Sequence, residues 1–408
     1  MSIVEVTAVP GVRPTDPELL AGAVADSLVV AVDQGSRNAC LFYFYRARPW
    51  VEAVVEKVRS SADEIRSLGE RLLAEPASPE HYHAFKAALL ARGVEDPRTA
   101  ALFAAAWQAE CYSRLGYHLG SRYVTDHSPQ VTARDLSGIS PVIPPGAGAD
   151  AEIVVVIPFQ DRATGEVRLR NLLACLLTLG DQSYPRERYR VVVVESDDVP
   201  RYRELIEPLV DDYLFAPKAG LFNKSWAVNV GVVNAAGSAE VVCILDGDVL
   251  ADREFIARNA ARFQQRGTAG HLTYRNMFCL SPASTSHAIR QRLSQGVGHP
   301  DTATLRGFVM RRPPGCCVWA RTGTFHLIGG MDERFEGWGG EDNDFAYRMD
   351  INSPFDNYDD WLLHMAHPPA SVLDEDGELP NAAIPALSWM PGQSIGQIDR
   401  FAVAETRI

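Results

Sequence analysis

Three runs, Ile153-Val154-Val155-Val156-Ile157, Val191-Val192-Val193-Val194 and Val241-Val242-Cys243-Ile244-Leu245, are apolar at every position. A strand without alternation has both faces covered, the condition of a parallel sheet held between helices. The stretches near 168–179 and 225–236 have helical composition, so the order is β-α-β-α-β. Ligands of such a sheet gather at the carboxyl ends of its strands.

Around this core the chain changes character twice. Residues 17–125 are rich in Ala, Leu, Glu and Arg, with apolar residues at helical spacing such as Val51, Val54, Val55 and Val58. Pro49, Pro76, Pro79 and Pro97 punctuate the stretch, which predicts an all-α domain of four or five helices over 1–127. It carries no catalytic motif, and His81-Tyr82-His83 reads as surface or packing. Pro, Gly and Ser then accumulate over 128–150, a linker composition ending in Pro144-Pro145-Gly146-Ala147-Gly148. The α/β domain is expected over 151–370, with a C-terminal extension over 371–408.

All three strands run into polar residues: Pro158-Phe159-Gln160-Asp161-Arg162, Glu195-Ser196-Asp197-Asp198 and Asp246-Gly247-Asp248. Asp-Gly is a common turn, but directly after an apolar strand of an α/β sheet Asp246 and Asp248 face a ligand. Two carboxylates about one glycine suit a hard divalent ion, Mn²⁺ or Mg²⁺, that keeps positions open for phosphate oxygens. A second source of ligands is Trp361-Leu362-Leu363-His364-Met365-Ala366-His367, an apolar strand opening into two histidines, either of which can complete the ion's shell. Phe222-Asn223-Lys224 precedes a helix, where Lys224 can neutralise phosphate and Asn223 can bond to it.

The segment Gly337-Trp338-Gly339-Gly340-Glu341-Asp342-Asn343-Asp344 puts glycines before carboxylates at a helix start. Acids there also favour the helix dipole, by roughly 0.3 to 1 kcal/mol each. Glycines on both sides of Trp338, however, suit an indole covering a sugar ring, with Gly339 and Gly340 allowing close approach. Phe345 and Met349 share the helix's apolar face, and Asp344 is placed to pair with Arg348.

Several functions are excluded. A formal charge of −13 opposes broad binding to nucleic acid or anionic membrane. No apolar run approaches the ~18 residues of a membrane span and no secretory signal pattern opens the chain, so a cytoplasmic protein is expected. Seven scattered cysteines fit reduced thiols, Cys316-Cys317 among them as structural. Gly392-Gln393-Ser394-Ile395-Gly396 mimics a nucleophile elbow, but that fold needs a downstream histidine and the last is His367. Neither a GxxxxGK[ST] phosphate loop nor an HExxH zinc helix occurs.

Taken in order, Pro158 to Arg162, Phe222-Asn223-Lys224 with Asn229-Val230-Gly231, Asp246-Gly247-Asp248, Gly315-Cys316-Cys317, Gly337 to Asp344 and the histidine segment resemble the β-1,4-galactosyltransferase family and related inverting transferases of the GT-A fold. The resemblance covers about 150–370, and Gly-Trp-Gly-Gly-Glu-Asp is its specific part. It implies a Rossmann-like mixed sheet flanked by helices. Pro158, Phe159 and Arg162 would hold the nucleotide, with Phe222 and Lys224 helping at base or phosphates and Glu195, Asn223, Asp246 and Gly315 lining the donor site. Asp248 and His367 would ligate the metal, with His364 where a further ligand occurs; Trp338, Gly339 and Gly340 would meet the sugars. Asp342 matches the catalytic base and Glu341 supports it. Lys224 stands where the family commonly has arginine, and Asn343 interrupts its acidic run.

The function implied is metal-dependent inverting transfer from a nucleotide diphosphate sugar, a UDP-sugar by resemblance, to an acceptor hydroxyl such as that of a small metabolite. A nucleotidyltransferase making nucleotide sugars would use a similar sheet but release pyrophosphate. A non-catalytic carbohydrate-binding or scaffold protein would use the helical half as its partner surface. In either enzyme class that half offers a route to a homo-oligomer.

Overall fold

The computed structural model describes residues 15–93, 95–148, 150–162, 164–369 and 381–402. Most of the expected C-terminal extension is described from 381 on; 371–380 and 403–408 lie outside the described residues. Nine strands occur among the described residues: β1 (Leu115–Leu119), β2 (Ile153–Phe159), β3 (Tyr189–Glu195), β4 (Asp212–Phe215), β5 (Val241–Leu245), β6 (Gly270–Leu280), β7 (Arg306–Arg311), β8 (Cys317–Arg321) and β9 (Phe355–His364). The chain divides into two compact units.

The first unit comprises Met1–Pro129, Asn276–His287 and Asp301–Arg312. Its described residues hold six α-helices before β1: Pro17–Val32, Gln34–Ala39, Leu41–Arg59, Asp63–Ala74, Pro79–Arg92 and Pro97–Tyr112. The prolines mark their beginnings. Asp16, Ser78 and Asp96 cap helices whose first residue is Pro17, Pro79 and Pro97, since proline's missing N–H is an orphan at that position anyway. Pro49 instead lies inside Leu41–Arg59. The unit is not purely helical, because β1 pairs antiparallel with β7, Leu115 opposite Met310. Arg306 on β7 bonds to Tyr117 Oη at 2.8 Å and to Asp33. No local pattern announced this pairing, which joins residues nearly two hundred positions apart.

The second unit comprises Gln130–Arg275, Ala288–Pro300 and Pro313–Ile408. Its sheet runs β8-β5-β2-β3-β4, with β2, β3, β4 and β5 parallel and β8 antiparallel to β5. This is a mixed sheet flanked by helices, the arrangement that the resemblance implies. Val154, Val156, Val192, Val194, Val242 and Ile244 form a core with the helix Lys224–Ala235, from which Trp226 and Val230 are fully buried. Gly231 lets that helix lie close, since a Cβ there would meet Val156 Cγ1 at 2.4 Å. The intervening residues of each strand point to the opposite face, where Ile157 neighbours Leu172 of the helix Val167–Leu179 across Gly247. The segment expected as linker is partly folded onto this unit. It contains the helix Ala133–Ser137, closed by a Thr132–Asp135 capping box, and Gly146 and Ala147 donate to Asp211 at 2.8 and 2.9 Å.

Candidate active site

At the end of β5 the chain turns through Asp246-Gly247-Asp248, and the end of β9 is fastened against it. Val249 bridges to His364, Met365 N donates to Asp248 O at 2.8 Å, and Leu250 N donates to Leu363 O at 3.0 Å. From the helix Val167–Leu179, Asn171 Nδ2 reaches Met365 O at 3.3 Å and Arg170 Nη2 reaches Ala366 O at 2.6 Å. These contacts carry the histidines to Asp248: His364 Nε2 lies 3.3 Å from Oδ1 and His367 Nε2 3.1 Å from Oδ2. His367 Nδ1 sits 2.8 Å from Pro368 O, which orients the ring with Nε2 turned to Asp248.

One ligand atom from each of Asp248, His364 and His367 lies within 4.8 Å of the others, a set able to hold a divalent ion. Asp248 Oδ1 is buried without a hydrogen bond, which fits the role of a metal ligand. Burial lowers the His364 imidazole to about 4 against the pull of Asp248, so it is neutral and able to ligate. Burial opposes ionisation of Asp248, but His364 and His367 outweigh it and hold the carboxyl below the ordinary range. Asp246, Asp248 and Cys316 form an overlapping group.

Asp246 is turned toward a different partner. Lys224, the first residue of its helix, places Nζ 2.9 Å from Asp246 Oδ1 and 3.0 and 3.2 Å from the Asp342 oxygens. Burial opposes its charge, yet Asp246, Asp342 and Glu341 raise its affinity for the proton well above that of a free lysine. Burial pushes Asp246 up to about 6 although Lys224 pulls the other way. Glu341 rises to about 7, through burial first and then the charge of Asp342.

Asp342 stands in the first turn of the helix Glu341–Asn352, whose N-cap is Gly340 at φ 100°. Gly315 makes room for it, since a Cβ there would fall 1.9 Å from Asp342 Oδ2. Gly315 therefore packs beneath Asp342. The next residue, Cys316, is held at φ 70°, unusual for a residue with a side chain. Asp344 is buried and bonds Arg348 at 2.7 Å, while Arg348 also donates to Gly330 O at 2.7 Å. That acid is structural, and Phe345 and Met349 enter the core. Trp338 is 37% exposed in a loop with Gly337, Gly339 and Gly340 at φ 71°, 100° and 100°. Gly337 N donates to Phe222 O at 2.7 Å, tying this loop to Phe222.

The other expected donor residues divide. Pro158 and Phe159 end β2 and are buried. Arg162 bonds Asp197 Oδ1 at 2.8 Å and Gly220 O at 3.0 Å. Although burial works against it, hydrogen bonding to Arg162 holds Asp197 down to about 2. Glu195 is 1% exposed and accepts from Arg201 N, Tyr202 N and the Tyr213 hydroxyl. A carboxylate that deep needs such donors, so its oxygens are engaged within the fold. Asn223 is fully buried; it accepts from Trp226 N at 2.8 Å as the helix cap and donates to Glu333 O at 2.8 Å. Its amide is a cap and a brace, with neither end turned to phosphate. Asn171, Arg170 and Asn381 were not recognised in the sequence, since none belongs to a local motif, and Cys316 was read there as structural.

Residues 154–320 match the family model of glycosyl transferase family 2, and residues 310–353 match that of the N-terminal domain of galactosyltransferase. Residues 154–320 are thus similar to the domains of glycosyl transferase family 2. The chain is similar to the Drosophila β1,4-galactosyltransferase 7 solved with manganese, UDP-Gal and xylobiose, at 16% identity over 51% of this chain and 64% of that one, TM-score 0.30. It is also similar to S. aureus TarS, at 15% identity over 52% of this chain and 60% of that one, TM-score 0.38. The chain thus spans less than two thirds of the length of either. No curated protein matches the chain. Among its described residues no helix is long and apolar enough to cross a membrane.

Proposed function

We propose that the enzyme is an inverting, metal-dependent hexosyltransferase that moves a sugar from a UDP-sugar to the hydroxyl of a small acceptor. One observation carries the reading: Lys224 joins Asp342 to Asp246, two residues from the Asp248, His364 and His367 cluster. A base and a site for a phosphate-binding ion are thereby adjacent.

In this reading Asp342 takes the proton of the acceptor hydroxyl as its oxygen bonds to the anomeric carbon and the bond to the diphosphate oxygen breaks. Such base catalysis contributes roughly 10² to 10⁴ in rate. A single displacement with one base inverts the anomeric configuration. Asp248, His364 and His367 would hold the ion, which when bound supplies positive charge to the departing diphosphate. Two imidazole nitrogens and one carboxylate suit Mn²⁺ better than Mg²⁺, which prefers oxygen throughout. Lys224 adds a fixed positive charge on the same side. Glu341 orients the acceptor, and Trp338 covers the sugar with an aromatic face.

Thermal shift against UDP-galactose, UDP-glucose and UDP-N-acetylglucosamine, each with and without Mn²⁺, tests the donor, because a ligand of the native state raises apparent stability. A Mn²⁺-dependent rise with at least one donor is expected. No rise with any of them removes the reading. The anomeric configuration of the product, read by NMR, tests inversion.

A further inference from the structure

The loop carrying Trp338 is hinged by three glycines at positive φ, at positions 337, 339 and 340. Glycine gives such a loop many alternative conformations, so something must hold it if Trp338 is to meet a ligand in one orientation. A residue from far along the chain does so. Asn381 Oδ1 accepts from Glu336 N at 3.0 Å, while its Nδ2 donates to Gly339 O at 2.8 Å. The two bonds clasp the loop on either side of Trp338.

Asn381 is itself anchored by the segment that follows it. Trp389 Nε1 donates to Gly329 O at 2.7 Å, Arg334 Nη2 donates to Ser388 Oγ at 2.9 Å, and Gly396 N donates to the buried Glu333 Oε1 at 2.7 Å. Arg400 also bonds to Glu333, and Trp226 Nε1 donates to Gln397 O at 2.9 Å. The segment 381–402 thus straps Met331–Gly340 along its length. It lies wholly outside the residues matched by either family model, which end at 353.

We propose that Asn381 is a positioning residue that fixes the Trp338 loop, so that the strap governs the acceptor side of the site and leaves the donor side unaffected. The division into acceptor and donor sides rests on the proposed function. The hydrogen-bond geometry of the clasp does not.

Amide hydrogen exchange of the full chain, read by NMR, tests the clasp, and calorimetry with UDP and Mn²⁺ tests the division. In Asn381→Ala the Glu336 amide is expected to exchange about tenfold faster or more, the scale of one lost hydrogen bond. The Val155 amide in the sheet should keep its wild-type rate, and the affinity for UDP with Mn²⁺ should stay within about twofold. Asn381→Asp retains the accepting oxygen and should restore protection of the Glu336 amide, which a merely structural loss would not predict. The proposal is overturned by an unchanged Glu336 rate in Asn381→Ala, by Val155 accelerating in step, or by a parallel fall in UDP affinity. A wild-type chain that binds no UDP with Mn²⁺ would refute the proposed function, while the exchange rates still decide the clasp.

Discussion

Lys224 Nζ lies 3.0 Å from Asp342 Oδ1 and 2.9 Å from Asp246 Oδ1, one ammonium shared between two carboxylates that stand nearly a hundred residues apart. Its side chain is only 11% exposed, so screening by water is weak. Removing this charge changes the chemistry of both acids.

Lys224→Met leaves Asp246 and Asp342 without their common cation, which raises the affinity of Asp246 for a proton. The acid limb of the pH–rate profile should therefore move to higher pH, lowering turnover at pH 7 by about tenfold or more. Lys224→Arg keeps the charge and should leave the limb in place. Release of UDP from UDP-sugar across pH measures both; an unmoved limb in Lys224→Met rules out the coupling.

Asp342→Asn preserves size while removing the proposed base. Binding of UDP with Mn²⁺ should persist, and transfer should fall by roughly 10² to 10⁴. Calorimetry and steady-state kinetics separate the two effects. Unchanged turnover would exclude Asp342 as the base.

Mn²⁺ affinity tests the histidine cluster directly. Loss of an outer partner of a metal ligand costs about 10- to 100-fold, so loss of a ligand in His367→Ala or Asp248→Ala should cost at least about 100-fold. Electron paramagnetic resonance of free Mn²⁺ reports the binding. A chelator should abolish transfer reversibly.

Stability should depend on His271. It is fully buried with Nε2 2.9 Å from Asn259 Oδ1, and burial, aided by the charge of Arg262, lowers it to about 3. Between that value and the ordinary 6.5, the unfolded state binds a proton that the native state refuses. The stabilisation is therefore complete above pH ~6.5 and lost as pH falls toward ~3, at up to roughly 1.4 kcal/mol per unit. Urea unfolding at several pH values should show this slope, and His271→Asn should flatten it.

Glu333 holds the strap. Its side chain is fully buried and bonds Asn229 Nδ2 at 2.9 Å, Gly396 N at 2.7 Å and Arg400. Glu333→Ala leaves those donors and the Arg400 charge without their partner, so unfolding stability should fall by about 3 kcal/mol. The urea midpoint measures it, and a loss below ~1 kcal/mol would show that the network is solvated.

The sheet was legible because burial on both faces forces continuous apolar strands, and β2, β3 and β5 fall where Ile153, Val191 and Val241 mark them. Of the prolines that punctuate the helical stretch, Pro79 and Pro97 begin helices, where a first-turn proline and its cap act locally, whereas Pro49 lies inside one. The pairing of Asp344 with Arg348, one helical turn apart, was legible as well. By contrast, β1, β4 and β6 to β8 were not identified in advance. β1 depends on a partner from 306–311, and a strand needs that partner's position as much as its own pattern.

At the site, the sequence by itself supplied the residue types: two acids about Gly247, two histidines after an apolar strand, and acids following glycines. The tertiary structure alone decided their partners. It gave Lys224 to Asp246 and Asp342, drew Glu195 and Asn223 into internal bonds, and brought Asn381 to the Trp338 loop. The reason is geometric. Local pattern follows from periodicity and capping within a few residues, whereas a side chain's hydrogen-bond partner depends on which distant segments the packed core carries to it.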